Sequence, residues 1–188
     1  MTNITPDHIK SVYNDAEQIV SETELMAAFD KLAAEMKPVL KDANPIFLCV
    51  MNGGLMAMSE LAKRLHFPLQ FDHIHVTRYR GKTSGGTIHW SKEPCFPLKD
   101  RTVVVIDDVL DGGVTLQAVV DYCNGHHPKK LYTVAMLDKP EGRTQGGLPK
   151  ADFTGLEIPN KYVFGFGLDY YDYLRNVPGI YAVDDKYL

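Results

Sequence analysis

The sequence has 188 residues, 45% of them hydrophobic and 23% charged, which places it among ordinary soluble globular chains and excludes disordered and fibrous classes. That length fits one domain, with room for a small appended lobe. A net charge of -4 leaves no surplus of Lys and Arg for broad duplex binding, so no nucleic-acid partner is expected.

The opening residues, MTNITPDHIK, show no basic segment followed by an apolar one, so no secretory leader is expected. No apolar run reaches membrane-spanning length, and no membrane partner is expected. Cys49, Cys95 and Cys123 are scattered and odd in number, which suits a reducing cytoplasm better than a disulfide framework.

Thr5-Pro6 predicts a helix start, with Ile9, Val12, Ala16, Ile19 and Val20 along one side. Ser21 and Glu24 have capping-box spacing, and Leu25, Phe29, Leu32 and Met36 follow at helical spacing up to Pro38. Residues 45–51 (PIFLCVM) read as a strand covered on both faces. Asn52-Gly53-Gly54 ends it, and a helix is expected from Leu55 to Leu65.

Leu69 to Tyr79 alternates as a strand, residues 80–86 read as the tip of a long hairpin, and Thr87 to Trp90 returns as its second strand. Thr102 to Ile106 (TVVVI) is the clearest buried strand. An acidic loop follows, then a helix from Val114 to Cys123 with Gly125 as its stop. Leu131 to Leu137 and Tyr162 to Phe164 complete the predicted strands.

Strands alternating with helices predict an α/β fold, a mainly parallel central sheet flanked by helices. In such sheets ligands bind beyond the carboxyl ends of the strands. Asn52, Asp107 and Lys139 each open a segment at such an end.

The most informative segment is VVVIDDVLDGGVT, Val103 to Thr115. A buried strand delivers Asp107 and Asp108. Asp111 follows, then Gly112 and Gly113, then the helix. Backbone N–H groups of a glycine turn at a helix start form an anion cradle, and the Thr115 hydroxyl adds to it. A monophosphate suits this cradle; a Walker loop is excluded because its Lys-Ser/Thr pair is missing.

The adjacent carboxylates suit ribose hydroxyls or Mg²⁺, which would supply positive charge that the acidic chain lacks. The same residues also fit an ordinary solvated turn. An Asp-Asp-x-x-Asp metal site of the prenyl-diphosphate synthase kind belongs on a helix, and here a strand leads into it.

VVVIDDVLDGGVTL resembles the PRPP-binding motif of type I phosphoribosyltransferases, and the chain resembles bacterial hypoxanthine(-guanine) phosphoribosyltransferases from about residue 45 to 175. The resemblance implies a core over about 40–150 and a small hood built from about 1–20 and 151–188. It implies transfer of the phosphoribosyl group of PRPP to hypoxanthine, and next to guanine, giving IMP or GMP and pyrophosphate. It also implies Mg²⁺ as cofactor and a homodimer or homotetramer. Asp107 and Asp108 are then expected on the ribose hydroxyls. Asp111, Gly112, Gly113, Val114 and Thr115 enclose the 5′-phosphate, with Asp111 facing the purine N7 as general base. Relatives have Thr or Ser where this chain has Gly112, so one hydroxyl is lost.

By the same resemblance, Asn52 and Gly53 form the pyrophosphate loop, with a cis peptide at Met51-Asn52 or Asn52-Gly53. Arg78 and Tyr79 open a lid in which relatives often have Ser-Tyr. Lys139, Tyr162, Val163 and Asp169 form the purine side, with the Lys161 backbone a further contact. Asp169 joins Asp107 and Asp108 near the metal, and Arg175 meets pyrophosphate. Lys139 has its own chemical logic: an ammonium only donates, so it rewards a 6-oxo group and not the amino group of adenine.

Two alternatives are a PRPP-sensing regulator, for which the chain lacks a DNA-binding domain or basic face, and a transferase acting on xanthine. His73 and His75 share a strand face without a third metal ligand. His126-His127 is expected to end a helix, and Tyr170, Tyr171 and Tyr173 to serve packing or subunit contact.

Overall fold

The computed structural model describes residues 4–78 and 88–188. Two sheets organise them, one of six strands in the order β4-β3-β2-β5-β6-β7 and one of three in the order β1-β9-β8. The large sheet comprises β2 (Ile46–Met51), β3 (Gln70–Arg78), β4 (Ile88–Lys92), β5 (Thr102–Leu110), β6 (Lys130–Asp138) and β7 (Phe153–Glu157). All its pairings are parallel except β3 with β4.

The strand alternation sorts the core into two faces. Val104 and Ile106 of β5 face Leu25, Phe29, Leu32 and Met36 of α2 (Glu22–Leu40) and Leu61 of α3 (Gly54–Ala62). Val103 and Val105 face Leu116, Val119 and Cys123 of α4 (Val114–Gly125). Leu25, Phe29 and Met36 are completely buried, each contributing about 1.5–3 kcal/mol of hydrophobic stabilisation. Pro38 lies inside the last turn of α2 without ending it, because near a helix C-terminus its missing N–H forfeits a single bond.

The expectation that the first helix runs on to Val20 fails. Helix α1 covers Pro6–Asp15, Ala16 is already extended, and β1 (Glu17–Val20) pairs antiparallel with β9 (Ile180–Ala182). Ile19 and Val20 fit helical spacing as read from the sequence, but a tertiary partner overrides it. The small sheet thus joins both ends of the chain, with β8 (Val163–Phe164) as its other edge. Phe153–Glu157, which the sequence reading placed in the hood, is instead the sixth strand of the large sheet.

Gly125 does not act as the helix stop either. It is the last helical residue, and the left-handed turn falls on His127 at φ 53°. Among the described residues, no helix is long and apolar enough to cross a membrane.

Candidate functional site

The chain passes from β2 outward to β3, and from β5 outward to β6 and β7. The carboxyl ends of β2 and β5 therefore flank the point where strand order reverses, where open α/β sheets bind ligands. Pairing of β2 with β5 stops at Cys49 opposite Ile106, whereas β6 follows β5 to Leu110. Asp107 and Asp108 consequently lie in the last part of a strand rather than in a loop, on an edge that β2 has vacated.

Each carboxylate satisfies the next amide. Asp107 Oδ1 accepts from Asp108 N–H at 2.9 Å, and Asp108 Oδ1 from Val109 N–H at 2.7 Å. Burial, and for Asp107 the neighbouring Asp108 charge, push both carboxyls above the usual carboxylate range. The Arg175 guanidinium opposes this at Asp108, while Asp169 adds to it. Burial with the two nearby carboxylates also pushes the Cys49 thiol up to about 12, which leaves it unreactive.

Gly53 packs directly on Asp108, where a Cβ would lie 1.9 Å from Oδ2. Only glycine allows that approach. On its other side the Gly53 carbonyl meets the backbone of Gly167, whose own Cβ would lie 2.3 Å from it. The cis peptide of this loop is Met51-Asn52.

Helix α4 starts at Gly113, whose φ of 80° lies in the left-handed region and which supplies no side-chain cap. The Gly113 carbonyl accepts from Gln117 N–H at 2.9 Å and from Leu148 N–H at 3.0 Å. The first-turn amides that follow have no partner within the helix, so Val114 and Thr115 open a site suited to an anion. Gly112 lies just before it, and its carbonyl accepts from the Thr144 amide at 3.2 Å and hydroxyl at 3.0 Å.

Lys139 follows β6 and is almost fully buried. Its Nζ stands 3.5 Å from Oδ2 of Asp111, whose side chain is 51% exposed. Asp111 can thus meet a ligand and a buried cation together. At β8, Val163 opposes Ala182, and the neighbouring bond runs from Val183 N–H to the Tyr162 carbonyl at 2.9 Å. In an antiparallel ladder that pattern turns the N–H and C=O of Val163 away from β9. Because β8 is an edge strand, they face the open side. The Lys161 amide is committed to the Pro159 carbonyl at 2.8 Å.

Tyr162 is half-buried, T-shaped against Tyr170 with ring centroids 6.0 Å apart. With Asn160 and Lys161 it lines a cavity of about 450 Å³ whose other walls are Asp15, Glu17, residues 182–185 and Leu188, with no residue of β5, α4 or β6 among them. Asp169 and Arg175 pair at 2.6 Å, and Arg175 also donates to the Gly167 carbonyl at 2.6 Å. Arg175 is therefore engaged in holding the turn that rests on Gly53. The charge of Asp169 is felt at Asp108, yet among the described residues no three His, Cys, Asp or Glu side chains form a metal cage. That includes His73 and His75. Arg78 is the last residue of β3, opposite Ile88; Tyr79 and the rest of the expected lid fall outside the described residues.

Sequence reasoning missed Arg143 and Thr144, which reach back to the carbonyls of residues 110–112. An arginine in a Pro-Gly turn carries no period or motif that would mark it.

The Phosphoribosyl transferase domain model matches residues 15–171. A hypoxanthine-guanine phosphoribosyltransferase of Bacillus subtilis is 34% identical over 169 residues, covering 89% of this chain and 93% of that protein. The bifunctional protein TilS/HprT of Listeria innocua is 34% identical over 173 residues, 91% of this chain; the match spans 26% of that longer protein. A crystal structure of a hypoxanthine phosphoribosyltransferase from Staphylococcus aureus superposes with a TM-score of 0.87 at 26% identity, covering 100% of this chain and 98% of that one.

Proposed function

Because the chain belongs to the phosphoribosyl transferase family, we propose that it joins a 6-oxopurine, hypoxanthine first and guanine next, to the ribose 5-phosphate of PRPP, giving IMP or GMP and pyrophosphate. The observation that carries this reading is the Lys139–Asp111 pair at 3.5 Å. The N7–H and O6 of a 6-oxopurine are neighbours on one edge of the base, one a donor and the other an acceptor. An acidic and an ammonium side chain set side by side complement that edge, whereas adenine would turn an amino donor toward the ammonium.

The remaining groups fall into place around a nucleotide. The α4 amides, with the Thr115 hydroxyl, receive the 5′-phosphate, and Asp107 and Asp108 accept from the ribose diol. Asn52 and Gly53 line the pyrophosphate, with Arg175 holding the Gly167 turn behind them. The outward N–H and C=O of Val163 meet the polar edge of the purine, and Tyr162 covers its face.

In the reaction the N9 lone pair forms the bond to the anomeric carbon. The carbon–oxygen bond to pyrophosphate breaks with its electron pair leaving on oxygen, and Asp111 accepts the N7 proton. Holding both substrates aligned supplies much of the acceleration.

Mg²⁺ fits the paired carboxylates. Asp107 and Asp108 are buried acids with raised proton affinity and, in Arg175, one opposing cation nearby. Asp169 lies on the same side. With no protein cage of three ligands among the described residues, a bound ion would draw its remaining oxygens from substrate and water, as is usual for Mg²⁺. When bound, the ion neutralises charge on the departing pyrophosphate.

We further assign the protein to the cytoplasm, as a homodimer or homotetramer without nucleic-acid or membrane partners. The test is incubation with PRPP and Mg²⁺ plus hypoxanthine, guanine, xanthine or adenine in turn. Nucleotide and pyrophosphate should form with the first two. Turnover with adenine alone, or none with any base, would overturn the reading.

A further inference from the structure

Arg143 stands over the carboxyl ends of β5 and β6, brought there by the short 3₁₀ turn Pro140–Gly142 that follows Lys139. Its Nη1 faces three backbone carbonyls, those of Leu110 at 2.6 Å, Asp111 at 2.7 Å and Lys139 at 3.0 Å. Nε donates to the Pro149 carbonyl at 3.1 Å, and Nη2 pairs with the Asp138 carboxylate. The side chain is 18% exposed, its charge balanced by Asp138, and its planar fork fully committed to protein acceptors.

Two of those three carbonyls belong to Asp111 and Lys139 themselves, and the third to the residue before Asp111. One cation thus grips the main chain beneath both members of the 3.5 Å ion pair. Beyond Asp111, the glycines of the 5′-phosphate loop have supports of their own: Leu148 N–H on the Gly113 carbonyl, and Thr144 on that of Gly112. Loss of Arg143 should therefore be felt on the purine side while the phosphate cradle stays in place. Lysine cannot stand in fully, because an ammonium lacks the flat fork that reaches divergent acceptors at fixed angles.

We propose that Arg143 is a positioning residue that sets the spacing of Asp111 and Lys139, and through them the seating of the purine. The proposal rests on the transferase reading for its kinetic consequence and on the geometry alone for its structural one.

The experiment uses the full chain with Arg143→Met, Arg143→Lys and Arg143→Ala. Arg143→Met should lower kcat by about 100-fold, as expected for a misplacement on the order of 1 Å. It should also raise KM for hypoxanthine, while the dissociation constant for PRPP, measured without purine, holds within about threefold. Arg143→Lys should recover part of the loss, and added guanidinium should recover part of it in Arg143→Ala.

A merely structural role predicts something else: activity falling with the folded fraction, no split between purine and PRPP, and no rescue. That pattern, or wild-type kinetics in all three variants, overturns the proposal. A crystal structure of Arg143→Met separates this from failure of the transferase reading. If Asp111 and Lys139 keep their spacing, Arg143 does not set it, whatever the wild-type protein catalyses.

Discussion

The helices at the N-terminal end of the chain and those at the site begin in opposite ways. Helix α1 starts under the Thr5 side chain, which accepts from His8 N–H, and α2 under a complete capping box of Ser21 and Glu24. Helices α3 and α4 start at Gly53 and Gly113, with no side-chain cap on either. A cap satisfies amides that otherwise have no partner and stabilises its helix by about 1 kcal/mol. Leaving two helix starts without a side-chain cap forgoes that stability at the two places where, on the proposed function, the loops after β2 and β5 would meet a ligand. On that reading, the contrast separates amides capped by side chains from amides that could receive an anion.

Four substitutions probe that division. Asp111→Asn removes a proton acceptor that is half exposed, so kcat should fall by about 10²–10⁴, and because the same carboxylate faces the buried Lys139 ammonium, stability should fall by on the order of 1 kcal/mol. A steady-state assay beside a melting curve checks both, and wild-type turnover would exclude Asp111 as the base.

Gly113→Ala strikes a bare helix start. The residue sits at φ 80°, and a Cβ would lie 2.6 Å from the Leu148 carbonyl oxygen. Urea unfolding should show a loss of about 1–3 kcal/mol, and PRPP affinity should drop with it. Unchanged affinity would mean that the phosphate does not use this cradle.

Ser21→Ala strikes a capped start. It should cost about 1 kcal/mol of stability and leave kcat and both KM values alone. A kinetic effect there would blur the division.

Asp107→Asn should do the reverse, stabilising the ligand-free protein at neutral pH by on the order of 0.5–1 kcal/mol while abolishing PRPP binding. The sign follows from linkage. Burial and Asp108 raise the Asp107 carboxyl above its unfolded value, so the folded protein holds the proton more tightly. Its stability falls as pH climbs from the ordinary carboxylate range through the raised value. The advantage of the uncharged amide in this variant should therefore grow with pH across that interval. An advantage that shrinks with rising pH would count against a strained acid at this position.

The strand, turn and helix start proposed for the phosphate were legible because their signals are local. TVVVI followed by two acids and two glycines combines a buried strand, a helix start and a turn within a few residues, and the structure departs from it mainly in extending β5 to Leu110. The residues proposed for the purine side were singled out mostly through resemblance, since a lone Lys139 or Tyr162 carries little information by itself.

What stayed hidden depends on distant partners. Ile19 and Val20 satisfy helical and strand spacing alike, and β9, only three residues long, settles the matter from the far end of the chain. Phe153–Glu157 contains Gly155 and ends on a charge, so nothing marks it as a strand until β6 lies beside it. Arg143 is invisible for the same reason: its acceptors are carbonyls, and carbonyls leave no trace in a sequence.

The ladder between β1 and β9 has one more consequence. Gln18 and Tyr181 are joined across 163 positions by a hydrogen bond of 3.1 Å. During synthesis the strands from β2 to β7 can associate as they emerge, yet β1 must wait for nearly the whole chain before its partner exists. Val163, the outermost rung of that small sheet, acquires its orientation only then. A ribosome-bound chain halted before Ile180 should therefore already carry the phosphate cradle while still lacking a place for the base.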